Sequence, residues 1–481
     1  RALDGTAYAR EHGLRAGLST RAFRERAPVA AWEDVAPWVE RASRGEPDVI
    51  VRGHPLAFER SGGSSGGGRL VPLTRGLLDE FAAATGPWMR DLAERHPALS
   101  RGTQYWAVSP VAQEPARTPG GARIGLADES EYLGPAARWA MRRLLALPPG
   151  LAKVRDVDRW RRETARRLVA DADLALVSVW SPTFLLLLLD EIEGSLDAHL
   201  DAAPAPRARQ VRAALRRGRS PAEALWPRLA VVSCWADGPS AAFVPEVRRR
   251  VPHAALEPKG LLATEGVVTI PLGGLAAPVA AVASHFVELE PVDAPGEPVL
   301  LHEAREGVRY APLLTTSGGL VRYRLPDAVR CVGFHGAAPL LAYEGRLDMA
   351  ADLCGEKVAQ GQAASALARA WEKTGIAPAF ALLAPSRAGR PHYRLFVETD
   401  APRAWLDAAA DVVDAALSDS HPYAYARSLG QLGPVRTVRV RNGRAAWERA
   451  HAARGRRLGS LKPVPLEPEP AWDDAFEEAA A

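Results

Sequence analysis

Between Leu56 and Thr74 the chain reads apolar, then glycine and serine, then apolar again, and this segment limits the possible folds more than any other. Leu56 to Arg60 is a short strand candidate, Ser61-Gly62-Gly63-Ser64-Ser65-Gly66-Gly67-Gly68-Arg69 follows, and Leu70-Val71-Pro72-Leu73-Thr74 is extended again. Three readings compete. A Gly/Ser run is a flexible linker when it separates domains, whereas this one is clasped between two strands that look like one hairpin. Such a loop can curl its backbone N–H groups around a phosphate, because glycine permits positive φ and serine hydroxyls add donors. It is not G-x-x-x-x-G-K-[ST], since no Lys-Ser/Thr follows, nor a dinucleotide fingerprint. Finally, Gly62-Gly63-Ser64-Ser65-Gly66 satisfies the G-x-S-x-G of serine hydrolases. That elbow needs a helix directly after the turn, and Arg69 to Thr74, with Pro72, reads as extended.

The 481 residues, 47% apolar and 25% charged, predict two or three globular domains and exclude global disorder or a coiled coil. A net charge of +4 is far from the concentrated basic face of a nucleic-acid binder. The Arg-rich segments 159–167, 207–219 and 248–250 read as solvated helical faces, with a non-catalytic nucleic-acid-binding protein as a lower alternative. Only five of the 61 basic residues are lysine, Lys153, Lys259, Lys357, Lys373 and Lys462, so each lysine is informative. Cys234, Cys331 and Cys354 show no C-x-x-C spacing and predict free thiols in a reducing, cytoplasmic compartment. The uncharged run Leu174 to Leu189 contains Ser178, Ser181 and Pro182 and falls short of the ~20 apolar residues of a membrane span, so it reads as a buried strand and helix. The start, at Arg1, carries no signal-peptide pattern.

Along the chain, Trp32, Val35, Trp38 and Val39 make one helical face, and Leu77, Leu78, Phe81 and Trp88 another in a helix from about Arg75. Residues 150–230 read as mainly helical, and 260–335 as short strands, including Gly266 to Pro271, Ala283 to Leu289 and Gly319 to Leu325. After Gly345 the pattern becomes a compact α+β unit: helices around Leu367 and from Trp405 to Leu417, with strands at Ala379 to Leu383, Tyr393 to Thr399 and Val435 to Arg441. The last strand ends in Asn442-Gly443, a hairpin-turn signal. The fold class is therefore α/β: a large N-terminal domain of mixed sheets and helices over residues 1–345, and a small α+β C-terminal domain over 346–466. The acidic tail 467–481 is expected to fray.

Three further segments, in order after the loop, carry a resemblance. Gly260-Leu261-Leu262-Ala263-Thr264-Glu265-Gly266 resembles the adenine and magnesium motif of the adenylate-forming superfamily. Gly319-Leu320-Val321-Arg322-Tyr323-Arg324-Leu325-Pro326-Asp327 is similar to its ribose-binding motif, and Gly345-Arg346-Leu347-Asp348 with Gly355-Glu356-Lys357-Val358 to its hinge. Within that superfamily the chain most resembles bacterial members of the auxin-responsive Gretchen Hagen family of acyl-acid amido synthetases. The matching phrases include Trp32-Glu33-Asp34-Val35, Phe58-Glu59-Arg60-Ser61, Tyr105-Trp106, Trp180-Ser181-Pro182-Thr183, Leu353-Cys354-Gly355-Glu356-Lys357 and Gly459-Ser460-Leu461-Lys462-Pro463.

The resemblance implies an adenylate-forming fold whose small domain is a lid, with ATP and Mg²⁺ as cofactors, and a ligase that joins a carboxylic acid to an amine, usually an amino acid, through an acyl-adenylate. It implies no nucleic-acid or membrane partner. Ser61, Gly63, Ser64, Ser65, Gly66 and Arg69 would hold the triphosphate, Thr264 would reach the α-phosphate, and Glu265 would ligate the metal through hard carboxylate oxygen. Asp327 would grip the ribose, with Tyr323 and Arg346 nearby. Asp348 and Lys357 would serve the hinge, and Lys462 would be the lid lysine that approaches the reacting phosphate. Trp106, Trp180, Phe184 and Phe286 are acid-pocket walls by the same resemblance, although large aromatics are as readily plain core. The sequence departs from the family at Gly62, where Ser or Thr is usual, at Arg69, usually Lys, and at Pro326, usually Gly. The rival within the superfamily is an acyl-CoA ligase, and the serine hydrolase ranks below it.

Overall fold

The computed structural model describes residues 3–61, 69–106, 116–125, 144–147, 151, 154, 156–293, 296–347, 350–354, 356–454, 456, 461, 464–470 and 472–480. They divide into two compact units, one of residues 1–237 with 241–343, the other of 344–481 with 238–240. Among the described residues no helix is long and apolar enough to cross a membrane.

In the large unit, helix α1 (Trp32–Ser43) buries Val35 and Val39 and leaves the indoles of Trp32 and Trp38 at its edge. Strands β1 (Ala57–Arg60) and β2 (Leu70–Leu73) pair antiparallel from Ala57↔Leu73 to Arg60↔Leu70, so the glycine-rich run is the tip of a hairpin. An extended strand, not a helix, follows the loop, which removes the nucleophile-elbow reading. Helix α2 (Arg75–Arg95) starts directly after β2, capped by Thr74, whose hydroxyl accepts from Leu77 N at 3.0 Å. It buries Leu77, Leu78, Phe81 and Trp88, as the 3.6-residue period predicts.

Four strands, β3 (Thr103–Trp106), β4 (Leu174–Ser178), β5 (Val231–Cys234) and β6 (Ala255–Pro258), form a fully parallel sheet in that spatial order. β4 and β5 are buried at every position, as strands covered on both faces are. Helix α3 (Pro182–Gly194) follows β4 and buries Leu185, Leu186, Leu188 and Leu189, so the long uncharged run is a buried strand plus a buried helix.

The hairpin of β7 (Leu262–Ala263) and β8 (Gly266–Val267) leads into an eight-stranded sheet. Its central members are β9 (Phe286–Pro291), β10 (Arg309–Thr315), β11 (Asp327–His335) and β12 (Ala338–Arg346). Only Tyr323 and Arg324 of the expected strand 319–325 are paired, against β10. Gly319 ahead of them has φ +96°, and a side chain there would collide with Ile50 O at 2.7 Å.

The small unit packs helices α4 (Gln360–Thr374) and α5 (Arg403–Leu417) against β13 (Phe380–Ser386), β14 (His392–Glu398) and β15 (Arg436–Arg439). Two expectations fail here. Asn442-Gly443 is no hairpin turn: β15 pairs parallel with β14, and Gly443 opens helix α6 (Gly443–Ala453). The Glu398 carboxylate accepts from the N–H groups of Asn442 and Gly443 at 2.9 and 3.0 Å, satisfying donors a helix start leaves open. Nor does the tail fray. Glu467 is buried and accepts from Trp447 Nε1 at 2.7 Å and His451 Nε2 at 2.8 Å, while Trp472 and Phe476 close a second apolar cluster beside Phe380 and Phe396. Two buried aromatics outweigh the charge of helix α7 (Asp473–Ala480).

Candidate active site

Residues far apart in sequence meet in the large unit around the base of the glycine-rich hairpin. Ser61 N donates to Arg69 O at 2.8 Å and closes the loop. The Arg69 guanidinium lies 5.6 Å from the Trp32 ring centroid and donates to Tyr323 Oη at 3.3 Å. Tyr323 is wholly buried, with Trp32 edge-on at 6.5 Å. Tyr323 thus serves as a post for the loop cation. Gly63, Ser64, Ser65 and Gly66 lie outside the described residues, as do Asp348 and Lys462.

The two arginines flanking Tyr323 are each engaged by a carboxylate. Arg322, at φ +43°, donates to both carboxylate oxygens of Glu288, at 2.8 and 3.0 Å, and to the carbonyls of Arg24 and Ala27. Arg324 makes the same two-pronged contact with Glu290. Both acids stand on β9, so this part of the motif ties a turn to a sheet. Asp327 begins β11, is buried, and accepts from Tyr343 Oη at 3.2 Å.

Thr264 and Glu265 form the tip of the β7–β8 hairpin, and Glu265 is buried. Gly266 is closely packed, since a Cβ there would sit 3.0 Å from both His285 Nε2 and Leu314 Cδ1. His285 Nδ1 hydrogen-bonds Glu80 Oε2 at 3.0 Å, and Glu80 also accepts from Ser317 Oγ at 2.5 Å and Ser317 N at 3.1 Å. Burial works against the charged form of Glu80, but these bonds from His285 and Ser317 hold its carboxyl below the usual range. An ionised Glu80 makes Nδ1 the donor and leaves Nε2, without a partner among the described residues, against the Thr264-Glu265 hairpin. This network has no sequence signal beyond single polar residues at 80, 285 and 317, separated by whole strands.

As a metal site the turn supplies one hard donor, Glu265, and among the described residues no group of three or more His, Cys, Asp or Glu side chains could hold an ion. Mg²⁺ needs only one or two carboxylates when phosphate oxygens complete its shell, and the donor set fits that mode.

The four aromatics expected to wall the acid pocket separate into three places. Trp180 and Trp106 surround Lys259, whose Nζ is 4.9 and 5.8 Å from their centroids and 5.3 Å from that of Trp88, and donates to Ser178 Oγ at 2.9 Å. Lys259 is 4% exposed. Burying an ammonium costs several kcal/mol, and each aromatic face returns about 0.5–2 kcal/mol, so the rings offset part of that cost. Burial pushes the neighbouring Cys234 thiol up to about 12, against the pull of the Lys259 charge. Phe286 and Phe184 are not part of this wall: Phe286 packs edge-on against Phe23 at 5.8 Å, and Phe184 packs on Trp160 at 5.5 Å in the helical core.

In the small unit, Arg346 ends β12, and Lys357 sits at φ +48° just ahead of the short strand Val358–Ala359. Next to it Glu356 is buried and accepts from the N–H groups of Leu353 and Cys354 and from Tyr393 Oη, bonds that outweigh its burial and hold its carboxyl below the usual range. The hinge-like phrase is thus pinned by its glutamate.

Three family models match the chain in order: the GH3 family N-terminal domain over residues 1–193, the central domain over 279–346, and the C-terminal domain over 362–467. A human GH3 domain-containing protein is 31% identical over 327 residues, which is 62% of this chain and 59% of that protein. The chain thus spans less than two thirds of that relative's length. The indole-3-acetic acid-amido synthetase GH3.8 of Oryza sativa subsp. indica is 24% identical over 416 residues, 76% of this chain and 67% of its own. A solved GH3.15 acyl acid amido synthetase superposes with a TM-score of 0.83 at 17% identity, over 99% of this chain and 91% of that one, so the fold is shared.

Proposed function

Because the chain belongs to the GH3 family, we propose that it is an ATP-dependent, AMP-forming ligase that adenylates a carboxylic acid and passes the acyl group to an amine, an amino acid, to form an amide. The observation that supports this best is the linkage of the glycine-rich hairpin to the ribose-type motif through the Arg69–Tyr323 bond. Two segments 254 residues apart serve one place, as a nucleotide that spans triphosphate and ribose requires.

Carboxylate attack on the α-phosphate of ATP brings two anions together, so the chain must supply fixed positive charge and donors. Arg69 supplies the loop cation, and a guanidinium can grip phosphate with two N–H groups. The Thr264 hydroxyl donates to the α-phosphate, Glu265 holds Mg²⁺, and Asp327 accepts from the ribose hydroxyls. Magnesium, when bound, neutralises charge on the phosphoryl oxygens. Lys462, from the small unit, brings a compact ammonium to the reacting phosphate, and Asp348 and Lys357 belong to the hinge that moves it. Location in a reducing, cytoplasmic compartment is part of the proposal and is supported by three free thiols.

The test is carboxylate-dependent ATP–pyrophosphate exchange across an acid panel, followed by mass detection of amides with pooled amino acids. Exchange supported by no acid while the protein binds ATP would overturn the reading. Discharge of the adenylate by coenzyme A rather than by an amine would identify the acyl-CoA ligase instead. Glu265→Ala abolishes exchange, and Lys462→Ala slows it with little loss of ATP affinity.

A further inference from the structure

Thr264 and Glu265 are carried by a hairpin of two residue pairs, Gly266↔Ala263 and Val267↔Leu262, so its position depends on what packs beneath it. The His285 ring does: a Cβ on Gly266 would meet Nε2 at 3.0 Å and Cδ2 at 3.1 Å. His285 directly precedes β9, and Ser317 lies two residues beyond β10. Phe286 pairs with Thr315 across these antiparallel strands, which brings residues 285 and 317 to one end of the sheet. There the Glu80 carboxylate, reaching in from α2, spans the two. It accepts from Ser317 Oγ at 2.5 Å and Ser317 N at 3.1 Å, and its other oxygen hydrogen-bonds His285 Nδ1 at 3.0 Å.

The two ends of this bridge are not equal. The turn at Ser317 is held without Glu80: Thr74 Oγ1 donates to Ser317 O at 2.9 Å, Gly318 N to Thr316 Oγ1 at 3.2 Å, and Thr316 N to Leu320 O at 2.9 Å. The His285 side chain, wholly buried, has its bond to Glu80 and no other hydrogen bond among the described residues. Phe81 meets the ring edge-on at 5.8 Å, an apolar contact that does not select one ring orientation. The second torsion of histidine is soft, so the Glu80 bond decides which edge of the imidazole faces Gly266. Side chains one layer behind a metal ligand set where it stands, and losing one costs about 10- to 100-fold in metal affinity or activity.

We propose that Glu80 and His285 are positioning residues for adenylation: Glu80, anchored on Ser317, fixes the imidazole that seats the Thr264–Glu265 hairpin against the triphosphate and its metal. The inference rests on the adenylating reading, and the experiment separates the two. The full chain is assayed as wild type, Glu80→Gln, His285→Asn and the double variant. Glu80→Gln keeps the shape of the side chain but leaves one acceptor oxygen, and His285→Asn keeps a donor for Glu80 but removes the ring edge at Gly266. Each should lower kcat/KM for Mg²⁺-ATP in ATP–pyrophosphate exchange by about 10- to 100-fold. Because both act through one contact, the double variant should be no worse than the weaker single one. Binding of ATP in EDTA, by equilibrium dialysis, should stay within about threefold of wild type, which a general loosening of the large unit would not allow. Exchange within about twofold of wild type in either single variant, losses that multiply in the double, or an equal loss of ATP binding in EDTA overturns the proposal and leaves the ligase reading standing. If no acid supports exchange, the ligase reading fails and dialysis decides. Weaker binding of ATP in the single variants with Mg²⁺ but not in EDTA then supports the pair; the same change in both, no change, or a wild type that binds no ATP refutes it. Should Glu80→Gln fail to fold, Ser317→Ala removes one donor from the carboxylate and should lower exchange severalfold; unchanged exchange counts against the proposal.

Discussion

Arg322 offers the sharpest test of what holds the large unit together, because its motif resembles a nucleotide-binding one while its side chain is bonded elsewhere. Arg322 and Glu288 are 5% and 1% exposed, and the guanidinium also caps the carbonyls of Arg24 and Ala27 at 2.9 and 2.8 Å. Arg322→Met keeps the stem and the positive-φ cost but strands a buried carboxylate, a loss of about 3–5 kcal/mol for a broken buried pair. Arg24 still faces Glu288 at 2.8 Å, so the lower end, about 3 kcal/mol, is expected. Replacing both partners, Glu288→Leu with Arg322→Met, should recover most of it, since a buried ion pair adds little over a packed apolar pair. Arg324→Met, whose pair is 40% and 20% exposed, should cost no more than about 1 kcal/mol. Urea unfolding followed by tryptophan fluorescence reads all four proteins. If Arg322→Met unfolds at the wild-type midpoint but no longer binds ATP, the arginine is a nucleotide ligand and the structural argument is wrong.

Other expectations concern single contacts. Gly443→Ala places a Cβ 2.4 Å from the Phe380 ring and should destabilise the small unit by about 1–3 kcal/mol, seen as a lower Tm; an unchanged Tm would mean the ring has room to move. The depressed carboxyl of Glu80 contributes stability that is fully present above the unfolded pKa of about 4.3 and is lost as pH falls through the lower folded value. The stability gap between wild type and Glu80→Gln should therefore be constant near neutrality and shrink in acid below that value; a gap independent of pH down to full acid denaturation would contradict it. Removing residues 472–481 uncovers Phe380 and Phe396 and should lower the Tm and raise dye binding to exposed apolar surface, whereas a tail that merely frayed would leave both unaltered.

The elements themselves were legible wherever local rules decide them. The 3.6-residue period placed α2 from Arg75 onward, an uncharged apolar run placed β4 and α3, and a glycine loop between two short apolar runs placed the hairpin. The family motifs were legible because they are contiguous phrases. The misses have one cause: partners far away in sequence. Asn442-Gly443 looks like a turn until Glu398 arrives to satisfy its N–H groups, and residues 467–476 look like a frayed tail until Trp447 and His451 bind Glu467. Phe286 and Trp180 look equivalent as aromatic candidates, but a strand carries the first to Phe23 and the bend after β4 carries the second to a lysine.

The sequence alone determined that Lys259 is one of five lysines and that Trp106 and Trp180 are large aromatics near motif segments. Only the tertiary structure decided that the three meet. Hydropathy and turn chemistry act over a few residues, whereas the parallel sheet brings the carboxyl ends of four separate strands onto one rim. The glycine-rich loop shows the same division. Its hairpin follows from the flanking residues, but the use of Arg69 as a cation fixed by Tyr323 depends on a bond spanning 254 positions, which no local rule can specify.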